Sequence, residues 1–218
     1  MTKPAIYLLS PTPKEGTIAL PMIRFQASVE KIAYGECDTL LFTSKQAVLE
    51  AEMIDPKWKR LPCIAVGSAT QKQIESLGGQ VIYCPESYYG KQLAKDIVLN
   101  FRDKKILYLR PKEVSSDIKS YLLKEGIDIN EQIIYETSCI VYNKSQAPLK
   151  NSVIIFTSPS TVHCFLKNFE WDESYQAVVI GESTKSHLVP NMKYTVADKP
   201  LIDACIQKAK SLYSEERY

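Results

Sequence analysis

Two kinds of short polar motif stand out in this chain of 218 residues, and each occurs twice. Thr43-Ser44 and Thr157-Ser158 follow apolar runs, as do Gly67-Ser68-Ala69-Thr70 and Gly181-Glu182-Ser183-Thr184. A hydroxyl at the end of a β-rich run, just ahead of a helical pattern, brings together unpaired backbone N–H groups, a side-chain donor and the positive end of a helix dipole. That combination suits phosphate or carboxylate. Ser and Thr are also favoured N-caps, and Gly suits a strand-to-helix turn, so any one junction taken alone reads as capping. Four junctions in two matched pairs read as a binding arrangement. A duplicated fold can face two sets of helix N-termini across one cleft, a usual place for a ligand.

Other residues with chemical potential are few. Lys45, Arg110 and Lys112 lie at or just past strand ends, and Arg110 has the planar fork that holds a carboxylate bidentately. Lys112 reads as ordinary solvated charge. His163 follows the second hydroxyl-rich turn and reads as a partly buried structural histidine beside Val162 and Phe165. Tyr88-Tyr89-Gly90 has aromatic faces for a planar ligand, although loop aromatics more often pack on their own domain. With only two histidines, a multi-histidine metal site is excluded. The six cysteines form no C-x-x-C pair, so most are expected as reduced core thiols. There is no G-x-G-x-x-G and no G-x-x-x-x-G-K-[ST], which leaves dinucleotides and nucleoside triphosphates unsupported.

The elements that must position these residues follow from a repeat. Leu40-Leu41-Phe42-Thr43-Ser44 returns as Ile154-Ile155-Phe156-Thr157-Ser158, and Ala65-Val66-Gly67-Ser68-Ala69-Thr70 as Val179-Ile180-Gly181-Glu182-Ser183-Thr184, both displaced by 114 residues. Each copy alternates strands and helices. The first has strands near 39–43, 62–66 and 81–83 with helices near 45–54, 68–77 and 90–101. The second has strands near 152–157, 176–180 and 193–197 with helices near 159–168, 182–188 and 200–213. Such alternation predicts an α/β fold with parallel sheets covered on both faces. The leading strands, 5–9 and 106–110, are displaced by only 101, so the first copy is 13 residues short. In the second copy a helix near 114–126 fills that space; in the first, Pro11-Thr12-Pro13-Lys14-Glu15-Gly16 supplies only turn chemistry.

Charge and hydropathy narrow the partners. The formal charge of +2, evenly spread, points away from nucleic acid, and no run approaches the length of a membrane span. Met1 to Ser10 lacks the pattern of a secretory signal, so a cytoplasmic chain is expected.

Leu41-Phe42-Thr43-Ser44, Ala65-Val66-Gly67-Ser68-Ala69-Thr70, Leu107-Tyr108-Leu109-Arg110, Val114 onward, Ile134-Tyr135-Glu136-Thr137, Ile155-Phe156-Thr157-Ser158-Pro159-Ser160 and Ile180-Gly181-Glu182-Ser183-Thr184 together resemble the uroporphyrinogen-III synthase family in order and approximate spacing, over nearly the whole chain. The resemblance implies two flavodoxin-like domains joined by a two-stranded β-ladder, with the active site in the cleft between them. It places residues 1–22 and 140–218 in one domain, 29–132 in the other, and 23–28 and 133–139 in the connecting strands. It implies that linear hydroxymethylbilane loses water and closes to uroporphyrinogen III, with ring D inverted through a spirocyclic pyrrolenine. It further implies no metal or organic cofactor, a monomer, and transient contact with hydroxymethylbilane synthase. By this likeness Tyr135 assists loss of the hydroxyl, while Thr70, Thr184, Ser44 and Ser158 bind substrate; from their own positions at strand ends and helix starts, Gly67, Gly181, Lys45 and Arg110 join them as substrate-binding candidates.

The chain departs from the family pattern at three places. Leu9-Ser10-Pro11 and the deficit replace the first helix and an Arg common at that corner, Lys45 stands where Pro is common, and Glu182 stands where Pro is common in the second G-x-x-T. An acidic Glu182 repels a carboxylate-rich substrate unless it is turned away. The short first copy and Glu182 keep an alternative open, a non-catalytic two-domain binding protein for a small anionic metabolite that uses the same four helix N-termini.

Overall fold

The computed structural model describes residues 4–85, 90–114 and 117–212. Among these the chain divides into two units: a central one, Phe25–Thr137, and a terminal one built from both ends, up to Arg24 and from Ser138 onward.

The central unit is organised on a six-stranded sheet. Its strands are β3 (Ile23–Ala27), β4 (Thr39–Phe42), β5 (Cys63–Ala65), β6 (Val81–Tyr83), β7 (Ile106–Pro111) and β8 (Ile129–Cys139), in the order β3-β8-β7-β4-β5-β6. The pairs β8-β7, β7-β4, β4-β5 and β5-β6 are parallel. β4 is apolar but for Thr39 and wholly buried, as a strand covered on both faces requires. Strand alternation sends Leu40, Phe42, Leu107 and Leu109 to one face, where α1 (Lys45–Ile54), α2 (Ser68–Ser76) and buried Trp58 close the core. Leu41, Ile106 and Tyr108 go to the other face, against α3 (Gly90–Asn100) and α4 (Ile118–Lys124). β3 meets β8 through Ser28 N–H to Ile134 O, Arg24 Nε to Ser138 Oγ and, just beyond its end, Ile140 N–H to Met22 O. Numbers fall on one strand as they rise on the other, so this ladder is antiparallel. The chain passes from one unit to the other within it.

The terminal unit carries a five-stranded sheet in the order β11-β10-β9-β1-β2, parallel throughout. Its strands are β1 (Ile6–Leu8), β2 (Ile18–Ala19), β9 (Val153–Phe156), β10 (Gln176–Val179) and β11 (Tyr194–Val196). α7 (Ile202–Ser211) packs Cys205, Ile206 and Ala209 on one face against Ile6, Leu8, Val153, Ile155 and Val178. α5 (Pro159–Asn168) contributes Phe165 to an aromatic cluster with Phe156, Phe169 and Trp171, to which Tyr175 adds an edge contact. The short α6 (Glu182–Lys185) follows β10.

Each sequence copy gives up its leading strand. β1, which heads the first copy, pairs with β9 of the second, and β7, which heads the second, pairs with β4 of the first. The 13-residue deficit is a turn between β1 and β2, with Thr17 bonding Lys14 O through both N–H and Oγ1 and Gly16 in the left-handed region at φ 76°. The helices expected near 114–126 and 182–188 are shorter here, Ile118–Lys124 and Glu182–Lys185. Residues 115–116 and Tyr88-Tyr89 lie outside the described residues. No helix among the described residues is long and apolar enough to cross a membrane.

The expectation that most cysteines are reduced thiols holds for four of the six, and one pair is the exception. Cys63 and Cys205 are buried free thiols and Cys37 and Cys84 are half-buried free thiols, but Cys139 and Cys164 form a disulfide. The end of β8 and α5 come together only through packing, which residue spacing does not reveal. Asn168 of α5 reinforces the same junction, donating to Ile140 O and accepting from Tyr142 N–H.

Candidate functional site

In the central unit, β4 ends at Phe42 and the next two residues carry hydroxyls to opposite faces of the sheet. Thr43 Oγ1 lies 2.8 Å from Tyr108 Oη, and Ser44 Oγ lies 3.1 Å from Tyr135 Oη. Ser44 is also the N-cap of α1, its Oγ accepting Ala47 N–H at 3.1 Å. Tyr135 is only 4% exposed and meets Phe25 edge-on, with ring centroids 5.7 Å apart. Burial pushes its phenol above the ordinary value; Glu50 and Tyr108 add to the rise, and the Ser44 hydrogen bond opposes it. Burial raises Tyr108 in the same way, against the Thr43 hydrogen bond.

Gly67 N-caps α2 with no side-chain cap hydrogen bond. Thr70 sits at the third position of that helix with its side chain buried and its N–H bonded to Gly67 O. Lys45 is exposed at the first position of α1, where the helix dipole disfavours a cation.

Arg110 departs from the expectation of a carboxylate-binding group. Its Nε and Nη2 donate to Glu131 Oε2 and Oε1 at 2.8 and 3.2 Å, and Nη1 donates to Pro111 O and Lys112 O. Four of the five guanidinium donors are therefore committed within the protein. The Glu131 hydrogen bond raises the Arg110 pKa, and the reciprocal bond holds the Glu131 carboxyl below its usual range. Lys112 pairs with Glu136 at 3.1 Å on the surface.

The terminal unit repeats part of this set. Ser158 N-caps α5, taking Thr161 N–H on its Oγ while its own N–H donates to Thr161 Oγ1, a capping box. Gly181 starts α6 without a side-chain cap, and Thr184 is buried at its third position. Glu182 is exposed and paired with Lys185 on its own turn at 2.9 Å, so its charge is neutralised locally. His163, expected partly buried, is exposed. Val162 and Phe165 point inward, and the helical step turns residue 163 away from them. No group of three or more possible metal ligands occurs among the described residues.

A family model described as uroporphyrinogen-III synthase HemD matches residues 15–207. The chain belongs to the uroporphyrinogen-III synthase family. It is 32% identical over 154 residues to a porphyrin biosynthesis protein HemD from Ruminiclostridium josui, a match covering 66% of this chain and 30% of that longer protein. The chain thus spans under a third of the length of that relative. The crystal structure of uroporphyrinogen-III synthetase from Helicobacter pylori superimposes with a TM-score of 0.81 at 26% identity, covering 96% of this chain and all of that one. A mutant uroporphyrinogen-III synthase from Thermus thermophilus shares the fold, with a TM-score of 0.60, at 11% identity over 98% of this chain and all of its own.

Two residues of this synthase-family chain escaped the sequence reading. Tyr108 was visible only as a strand tyrosine; alternation with Leu107 and Leu109 was the signal that it faces the other layer. Glu50 is 3% exposed, takes Gln46 Nε2 at 2.7 Å, and raises the Tyr135 phenol by its charge. Its signal was a carboxylate among the inward positions Ala47, Val48 and Ala51 of α1.

Proposed function

We propose that the chain is a uroporphyrinogen-III synthase, cyclising hydroxymethylbilane with loss of water and inversion of ring D. The observation that carries this reading is the hydroxyl pair at the end of β4, Ser44 against Tyr135, in a member of that family. In this reading Ser44, Ser158, Gly67, Gly181 and Lys45 receive the substrate's carboxylates or orient its rings, Thr70 and Thr184, buried at the third position of their helices, hold the helix starts that do so, and Tyr135 takes part in removing the hydroxyl. Backbone N–H groups at Gly67 and Gly181 suit carboxylates without a strongly basic surface, in keeping with the net charge of +2. Arg110 instead ties β7 to β8, the strand that carries Tyr135.

The chemistry asks little of strong acids or bases. Loss of the hydroxyl leaves an azafulvene cation, and the substituted carbon of ring D must meet it before the free position does. Holding the reacting atoms in that geometry is the largest contribution such a site can make. Residues 23–28 and 133–139 serve as connecting strands. The enzyme works as a cytoplasmic monomer without metal or organic cofactor, meeting hydroxymethylbilane synthase transiently to receive its unstable substrate. The test is to supply purified protein with hydroxymethylbilane and resolve the product isomers. Isomer III in excess is expected; the isomer I of spontaneous closure, with no enrichment of III, overturns the reading.

A further inference from the structure

The buried phenol of Tyr135 is poorly placed to touch a substrate, whereas Ser44 is half-buried at the strand end. Counting protons and lone pairs decides how the two hydroxyls share the bond between them. A serine hydroxyl has one proton and two lone pairs. Ser44 Oγ already accepts Ala47 N–H at 3.1 Å. If Tyr135 donates across the 3.1 Å contact, both lone pairs of Ser44 are occupied and its own proton must find an acceptor beyond these two groups. The opposite direction would require Tyr135 to present its proton from a side chain that is 4% exposed.

We propose that Ser44 is the proximal acid of the reaction, its O–H donating to the leaving hydroxyl, and that Tyr135 is a positioning residue that acts through Ser44. This rests on the synthase reading above. As the C–O bond breaks, its electron pair leaves with the oxygen, which takes the Ser44 proton and departs as water. The pyrrole nitrogen supplies the electrons that form the azafulvene cation. The Tyr135 proton follows to Ser44 Oγ, and the phenolate is reprotonated by the proton that the closing macrocycle sheds on regaining aromaticity. No oxidant or reductant enters. Burial and Glu50 hold the proton on Tyr135 in the resting protein, which favours the donating direction, and positive charge developing on the substrate offsets that hold. Ser158, the matching cap 114 residues on, takes Thr161 N–H on its Oγ as Ser44 takes Ala47 N–H, but among the described residues no tyrosine hydroxyl bonds it as Tyr135 bonds Ser44. The relay is thus a property of the central unit's copy.

The test compares Ser44→Thr, Ser44→Gly, Tyr135→Phe and the Ser44→Gly/Tyr135→Phe double variant in steady-state turnover of hydroxymethylbilane. Glycine is nearly as good an N-cap as serine, so Ser44→Gly removes the hydroxyl while α1 keeps its start; circular dichroism checks this. Ser44→Thr should keep kcat within about threefold, and Ser44→Gly should lower it about a hundredfold, a usual size for a lost general acid, with KM little changed. Tyr135→Phe should cost less than Ser44→Gly and add nothing in the double variant. Multiplicative losses, or a larger loss at Tyr135 than at Ser44, overturn the relay while wild-type formation of isomer III leaves the synthase reading standing. Wild-type protein that makes no isomer III sinks both.

Discussion

Replacing Arg110 with Gln separates a structural cation from a substrate-binding one. The guanidinium makes two charged hydrogen bonds to Glu131 and two to backbone carbonyls, and the side chains of the pair are 15% and 25% exposed. Exposed ion pairs contribute about 0–1 kcal/mol, and breaking a buried one costs about 3–5 kcal/mol. A pair with a quarter of its carboxylate side chain still in water falls between these limits. Lys119 stays 3.3 Å from Glu131 Oε1 and compensates part of the orphaned charge. The expected loss is about 2 kcal/mol, a fall in Tm of roughly 4–8 °C for a chain this size. The pH dependence has a definite sign. Arg110 holds the folded Glu131 pKa below its unfolded value, so the pair's contribution is complete above the ordinary glutamate range, near 4.3, and is lost as pH falls through the folded value. Urea titrations of both proteins at pH 7 and in stepwise acidification should show the gap between wild type and Arg110→Gln narrowing toward low pH. KM for hydroxymethylbilane should stay within a few-fold. An unchanged urea midpoint with a KM raised tenfold or more would refute this reasoning and return Arg110 to the substrate.

Gly79→Ala should destabilise the protein by about 3 kcal/mol in urea, since the new Cβ would lie 2.5 Å from the buried Trp58 ring and 2.8 Å from Ile74 Cγ2. A loss below about 1 kcal/mol would mean that this corner yields more easily than its packing implies. Tyr108→Phe removes the partner of the half-buried Thr43 hydroxyl and should cost about 1 kcal/mol, with isomer selectivity kept; a collapse of selectivity would move Tyr108 into the chemistry. Alkylation of denatured, unreduced protein should label the four free cysteines, and reduction should expose Cys139 and Cys164 as well. For partners 25 residues apart, reduction should lower stability by about 3.5 kcal/mol on the chain-entropy account. Six labelled thiols before reduction would contradict the bond.

Much of the local architecture was legible because it depends on near neighbours in sequence. Ser44 and Ser158, Gly67 and Gly181 all start helices 114 residues apart, as their turn chemistry and the repeat imply. Pro11 to Gly16 makes a turn where the second copy has a helix. The tail of α6 was not legible: Ser186 to Leu188 form turns after Lys185, and His187 Nδ1 turns back to Ser183 O.

What the sequence by itself determined is the set of strands, helix starts and turns, and with them the family. Propensity, capping and alternation act over a few residues, and those residues are adjacent in the chain. Which strand lies beside which was decided only in three dimensions. β1 and β7 are apolar leading strands that suit either sheet, and they exchange copies because hydrogen-bonding partners in a parallel sheet are set by long-range packing. The consequences for the site follow from that pairing. Placing β7 and β8 beside β4 brings Tyr108 to Thr43, Tyr135 to Ser44 and Glu131 to Arg110, across separations of 65, 91 and 21 residues. Over such distances a hydroxyl, a phenol or a guanidinium acquires its role from the partner that folding places within 3 Å or so.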